Sequence, residues 1–226
     1  MPRRLRFATA GYAYHVLNRG VGRSTIFEHS DDYLAFERIL RESQDWLPMR
    51  LLSYCLMPNH WHLVVRPHKD GDLSEWMRWV SVTHTQRRHG KHKTHGTGPL
   101  YQGRFKSFPI QEDEHLLTVC RYVERNALRA NLVKQAENWH WSSLWLRVHK
   151  EDRVPLAEWP MPRPRNWVAS VNEPETEAEL NALRLAVTRG TPYGQDGWVA
   201  KTAKRLGLET TLRPRGRPRK TSDERV

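Results

Sequence analysis

Apolar positions along the first 150 residues switch between two spacings. Apolar and β-branched runs at Tyr12–Leu17, Leu51–Met57, Trp61–Arg66 and Phe105–Ile110 predict four strands. Between and after them, Asp31–Trp46, Leu73–Arg88 and Glu112–Leu132 carry apolar residues at helical spacing, the first opened by acids that suit a helix N-terminus. Pro58-Asn59 is a turn dipeptide, so the second and third strands read as an antiparallel hairpin. The order β-α-β-β-α-β-α predicts an α+β fold, ferredoxin-like, with a central mainly antiparallel sheet flanked by helices.

After residue 150 the pattern changes. Pro155, Pro160, Pro162, Pro164 and Pro174 exclude helix interiors and central strands, so 151–190 reads as a Pro-rich wrapping linker with a helix. The compact domain is therefore expected to span 1–150, with 191–226 as a basic C-terminal extension in which Trp198–Leu208 has amphipathic spacing. Residues 201–226 hold nine Lys/Arg against three acids, half of the formal +12 of the 226-residue chain. An excess of that size points to a polyanionic partner.

No apolar run nears the roughly 18–20 residues needed to span a bilayer, and the opening MPRRLRFATAG lacks the apolar segment of a signal peptide. The expectation is a cytoplasmic, nucleoid-associated protein with no membrane partner. Cys55 and Cys120 form no CxxC pair, so any metal must be held by His, carboxylate or amide groups.

Two constellations carry candidate chemistry. In the third strand His60 and His62 share one face, while Trp61, Leu63 and Val65 point to the opposite, buried side. Two imidazoles on one sheet face can share a metal ion; a half-exposed strand whose histidines only solvate its outer face has the same pattern. In the last helix Leu116, Val119, Cys120, Val123 and Ala127 form one apolar stripe. Tyr122 and Asn126 lie side by side at its edge, with Arg125 and Arg129 further round. An amphipathic boundary tyrosine would sit there too. Taken together, the residues suit a tyrosine nucleophile, a metal at His60 and His62 completed by the amide of Asn126, and arginines near an anionic substrate.

At this point a resemblance becomes specific. His60-Trp61-His62 is similar to the HUH signature (His, hydrophobic, His) of single-tyrosine transposases. Arg121 to Val133 (RYVERNALRANLV) resembles the RYxxxNPxRAgLV block of the REP-associated tyrosine transposases, in the IS200-like family. Tyr14 to Gly20 and Tyr101 to Ser107 resemble the same family, so the likeness covers most of 1–150. It implies an HUH fold, Tyr122 as nucleophile and His60, His62 and Asn126 as ligands of Mg2+ or Mn2+. It also implies strand cleavage and transfer on single-stranded or hairpin DNA of repetitive palindromic elements, through a covalent 5′-phosphotyrosine. Ala127 stands where the family usually has proline, which should relax the helix, and Asn126 stands where insertion-sequence relatives carry Gln.

Beyond the centre, Arg3, Arg4, Arg6, Arg104 and Lys106, with Arg125 and Arg129, are candidate DNA contacts. Ten tryptophans allow some to stack on unpaired bases, although Trp139, Trp141 and Trp145 read as core. Arg213 to Lys220 (RPRGRPRK) resembles an AT-hook, with Arg215, Arg217 and Arg219 as minor-groove contacts, and a disordered cationic tail has the same composition. The rival functions are a non-catalytic DNA-binding regulator on the same fold, a rolling-circle initiator, for which there is neither a Walker motif nor a Tyr pair, and an RNA-binding module. The oligomeric state, monomer or homodimer, is not legible in the sequence.

Deleting 201–226 is expected to flatten the dependence of log K on log[salt] for DNA binding. An unchanged slope would show the tail to be idle.

Overall fold

The computed structural model describes residues 8–213. Four strands, β1 (Ala13–Arg19), β2 (Arg50–Met57), β3 (His60–Arg66) and β4 (Lys106–Ile110), form one sheet in the order β2-β3-β1-β4. Every neighbouring pair is antiparallel, as in the split sheet that the element order predicts. The register sets Leu17 opposite His62 and Arg19 opposite His60 on β3, while Lys106 of β4 pairs with Leu17 on the other side.

Strand alternation sorts the side chains onto two faces, and both are buried. Tyr14, Val16, Tyr54, Leu56, Trp61, Leu63 and Val65 pack against α1 (Ser30–Trp46) and α2 (Asp72–His92). Ala13, Cys55, Met57, Val64, Phe108 and Ile110 pack on the other face against α3 (Glu114–Glu124). The histidine-bearing face of β3 is therefore not a solvated surface: α3 covers it, and His62 is as buried as a core residue. Trp61 is fully buried and donates its indole N–H to Tyr101 Oη at 2.9 Å, which satisfies the one polar atom it carries into the core.

All five residues read as the apolar stripe of the last helix are buried, but that helix is two pieces. Asp113 caps α3 by accepting the N–H of His115. The helix ends at Glu124, and after Arg125 the single turn α4 (Asn126–Arg129) follows. Arg125 has φ −79° and ψ −6°, flatter than an ideal helix, and Asn131 at φ 57° turns left-handed and stops the chain there. Expecting one helix to Leu132 thus overran its end, and the break falls at Arg125, while Ala127 itself sits inside α4.

Packing does not stop at residue 150. Beyond α5 (Ser143–His149), which adds Leu144, the helices α6 (Trp167–Asn172) and α7 (Glu177–Arg189) contribute Trp167, Val171, Leu183 and Ala186 to the α3-side core. Val154 is buried in the α1-side core. The Pro-rich stretch read as a linker packs as part of the body, with Leu156, Trp159 and Met161 against the two cores. The amphipathic segment near the end forms α8 (Asp196–Leu206), where Trp198 lies edge-on to Tyr12 with ring centroids 6.0 Å apart. Residues 201–206 thus belong to a packed helix. A short turn, α9 (Glu209–Leu212), follows. Arg3, Arg4, Arg6, Arg215, Arg217 and Arg219 lie outside the described residues.

Both outer strands are capped by the chain itself. On β4, Pro109 O accepts the N–H of Tyr193, and Tyr193 O accepts that of Gln111, each at 2.9 Å. On β2, the carbonyls of Leu52 and Leu56 accept the indole N–H groups of Trp159 and Trp139 at 2.8 and 2.9 Å. Trp139, Trp141 and Trp145 are half-buried against the core, in keeping with their reading as packing residues.

Glu124, the last residue of α3, is completely buried. Its carboxylate accepts from Arg147 Nη1 at 3.0 Å, Trp167 Nε1 at 2.7 Å, Ser143 Oγ at 2.5 Å and Ser53 Oγ at 3.2 Å. Four donors from β2, α5 and α6 therefore converge on one side chain. Glu124→Ala is expected to cost about 3–5 kcal/mol of stability, because it leaves Arg147 without its counter-charge. Urea unfolding measures this, with Glu124→Gln costing less; a loss under about 1 kcal/mol for the alanine variant would contradict the account.

Candidate active site

The site forms where β3 and β1 face the C-terminal end of α3. His60 Nδ1 lies 2.6 Å from Asn59 Oδ1, and His62 Nδ1 lies 2.8 Å from Nε2 of His15 on β1. The His60 and His62 rings stand 5.0 Å apart at 82°. Each Nδ1 is thus occupied, and neither Nε2 has a hydrogen-bond partner among the described residues. A neighbour on Nδ1 fixes the tautomer that leaves Nε2 as a lone-pair donor. In that tautomer the acceptor at His62 is His15 Nε2, so the His15 proton sits on Nδ1, which is buried without a partner.

Burial keeps these rings neutral. Desolvation lowers His15 to about 3, and His60 is lowered to about 4 by desolvation, with the charges of Arg19 and Arg129 adding to it. His62 is pushed well down by desolvation first, then by His60, His15 and the same two arginines. An unprotonated imidazole is the form that binds a metal.

Tyr122 projects from α3 into this cluster, half-buried. Its ring lies edge-on to His62 at 5.9 Å and to His15 at 6.2 Å. The Arg129 guanidinium sits over the same ring, 4.1 Å from its centroid. Asn126, one turn beyond Tyr122, is buried, and its Nδ2 has no partner. An orphaned buried amide one turn beyond Tyr122, with two imidazole nitrogens left free, is a donor set whose chemistry fits a divalent ion, with the amide flipped to present its oxygen. The three-residue cluster of His and acidic groups at chelating distance among the described residues, Asp113, Glu114 and His115, lies at the opposite end of α3. There Asp113 is already the helix cap.

The structure sets Tyr122 against His62 and His62 against His60, with Asn126 one helical turn beyond Tyr122. Arg125 and Arg129 are near but engaged. Arg129 Nη1 donates to Glu175 Oε1 at 2.8 Å, and Arg125 pairs with Glu175 Oε2 at 3.3 Å while donating to Asn172 O at 2.9 Å. Arg121 is held by both oxygens of Glu179. Arg104 and Lys106 are exposed; Lys106 pairs in register with Leu17, itself opposite His62, and so points from the same face. Sequence reasoning passed over His15, Arg19 and Glu175. The first two become visible once β1 is registered against β3, and Glu175 lies in the stretch read as linker.

The family model described as Transposase IS200 like matches residues 8–126, just over half of the chain. Among solved structures, the chain is similar to a REP-associated tyrosine transposase bound to a REP hairpin, at 17% identity and TM-score 0.50, covering 73% of this chain and 92% of that one. A candidate transposase from Deinococcus radiodurans R1 also matches, at 15% identity and TM-score 0.38, over 55% of this chain and 96% of that one. The first likeness shows the fold. No curated protein matches. No helix among the described residues is long and apolar enough to cross a membrane.

The buried neutral histidines set a pH dependence for the metal-free protein. His15, His84 and His60 have folded values of about 3, 3 and 4 against 6.5 when unfolded, so the unfolded chain binds more protons as pH falls below about 6.5. Stability should therefore decline as pH drops from 6.5 towards 4. Urea midpoints taken in EDTA across that range check this, and His84→Phe should flatten the curve if it folds.

Proposed function

Because this chain belongs to the IS200-like transposase family, we propose that it cleaves and rejoins single strands of hairpin DNA at repetitive palindromic elements, with Tyr122 as the nucleophile. The carrying observation is the placement of Tyr122. It stands edge-on to His62 beneath the Arg129 guanidinium, one turn from the unpartnered amide of Asn126. The solved relative bound to a REP hairpin supports the choice of substrate.

In the proposed reaction the Tyr122 phenolic oxygen attacks the scissile phosphorus and loses its proton to solvent. The P–O3′ bond breaks, and its electron pair leaves with the 3′ oxygen, which takes up a proton. The products are a 5′-phosphotyrosine and a free 3′ hydroxyl. One phosphodiester replaces another, so a 3′ hydroxyl can reverse the step without ATP.

His60, His62 and Asn126 would hold Mg2+ or Mn2+. When bound, such an ion polarises the phosphate and stabilises the charge that develops on it. Paired imidazoles favour the transition ion, so Mn2+ is the better fit. Asn59 and His15 keep the two rings aimed. Arg129 lies against the ring face, and its Glu175 partner fixes it there. Exposed Arg104 and Lys106 extend positive charge from the same region of the sheet along the path a strand would take. The substrate places the protein on nucleoid DNA in the cytoplasm.

The test is incubation with Mn2+ or Mg2+ and labelled single-stranded oligonucleotides from the repeats flanking its own gene. A protein-linked product on a denaturing gel is expected with wild type and should be absent with Tyr122→Phe. Mn2+ should support more product than Mg2+. Tight binding with no adduct under either metal would instead indicate the non-catalytic regulator.

A further inference from the structure

The cations around the site fall into two kinds. Arg121, Arg125 and Arg129 each face a carboxylate from the C-terminal helical segment, so their charges are matched within the protein. Arg19 is not matched. It stands opposite His60 in the β1–β3 register, and directly paired residues of an antiparallel ladder point to the same face. Its side chain is half-buried, and its guanidinium has neither an ion pair nor a hydrogen bond among the described residues.

The backbone beneath that side chain is fixed on every side. The Arg19 N–H donates to Asn18 Oδ1, and Arg19 O accepts from Gln102 N–H, both at 2.9 Å. Gly20 N–H donates to Asn59 O at 2.9 Å, and a Cβ on Gly20 would collide with the carbonyl of Ser24. Asn18 Nδ2 in turn donates to Gly103 O at 3.2 Å, tying β1 to the loop that carries Arg104. A rigid base therefore carries a free head group.

The charge balance calls for an anion. His60, His62 and Asn126 are all neutral donors, and Glu175, the carboxylate beside Arg129, is taken by two arginines. A half-withdrawn guanidinium lacking a counter-ion is costly, and its planar fork matches two oxygens of one phosphate. The Arg19–His60 pairing sets Arg19 on the sheet face that carries the candidate metal ligands.

We propose that Arg19 is the residue that binds the non-bridging oxygens of the scissile phosphodiester. This rests on the cleavage reading above. Arg125 and Arg129 then serve the nucleophile helix, and the substrate contact moves to β1.

A methylphosphonate scan tests it. Hairpin oligonucleotides from the repeats flanking the gene carry one uncharged phosphate analogue at a time. They are titrated against full-length Tyr122→Phe, with and without Arg19→Ala. At the phosphate that wild type cleaves, neutralisation should weaken binding by Tyr122→Phe about tenfold and have little effect once Arg19 is gone. Arg19→Lys should retain part of the sensitivity. Thermal melts of Arg19→Ala should match wild type, since the guanidinium has no protein partner to lose. Identical scans with and without Arg19, when wild type forms the Tyr122 adduct on the same oligonucleotides, overturn this proposal alone. No adduct with wild type on any of these oligonucleotides overturns the cleavage reading and this one with it.

Discussion

The register between β1 and β3 is the constraint on which the rest depends. Because side chains alternate with a period of two, a slip of one residue would carry His60 and His62 into the α1-side core and throw Trp61 out. The indole of Trp61 and its bond to Tyr101 make that exchange unaffordable, since neither a tryptophan nor two imidazoles fits the other's place. The same register brings His15 against His62 and Arg19 against His60. A packing preference on one face of the sheet thus determines the chemistry available on the other.

The second layer of control lies in residues beyond the segment matched by the family model. The C-terminal end of the helix that bears Tyr122, and the turn after it, are gripped by the C-terminal segment: Arg121 by Glu179, Glu124 by Trp167, and Arg125 and Arg129 by Glu175. These contacts recur every three or four residues, the repeat of one helix face. A short helix broken at Arg125 needs such support, because neither α3 nor the single turn of α4 is long enough to hold its direction alone. The ion pairs are shielded, as Glu175 is buried and the guanidiniums are only partly exposed.

Much of this was legible in the sequence. Spacing alone placed the four strands and three main helices, put Trp61 in the core and drew the buried stripe from Leu116 to Ala127, because period is a local property of the chain. It also put Tyr122 and Asn126 on one flank. What it missed is non-local. His15 partners His62 only after two strands 40 residues apart are registered, and Glu175 reaches Arg129 only after the Pro-rich stretch has wrapped back. Prolines announce where regular structure stops, not where packing stops, so the stretch after 150 looked like a linker. The covering of the histidine face was hidden for the same reason, since whether a strand face meets water depends on which helix crosses it.

The β2 edge carries one more consequence, for how copies behave when crowded together. Its Leu52 and Leu56 carbonyls are closed by the indoles of Trp159 and Trp139, not by another strand. A strand would satisfy that edge and offer a fresh row of donors and acceptors in turn, whereas an indole has a single donor and no acceptor to pass on. Those indoles, together with the Trp141 carbonyl that accepts the Leu56 N–H and the Leu51 carbonyl that accepts the Ala157 N–H, cover the edge, so molecules packed side by side meet surfaces that cannot recruit one another into a growing ladder.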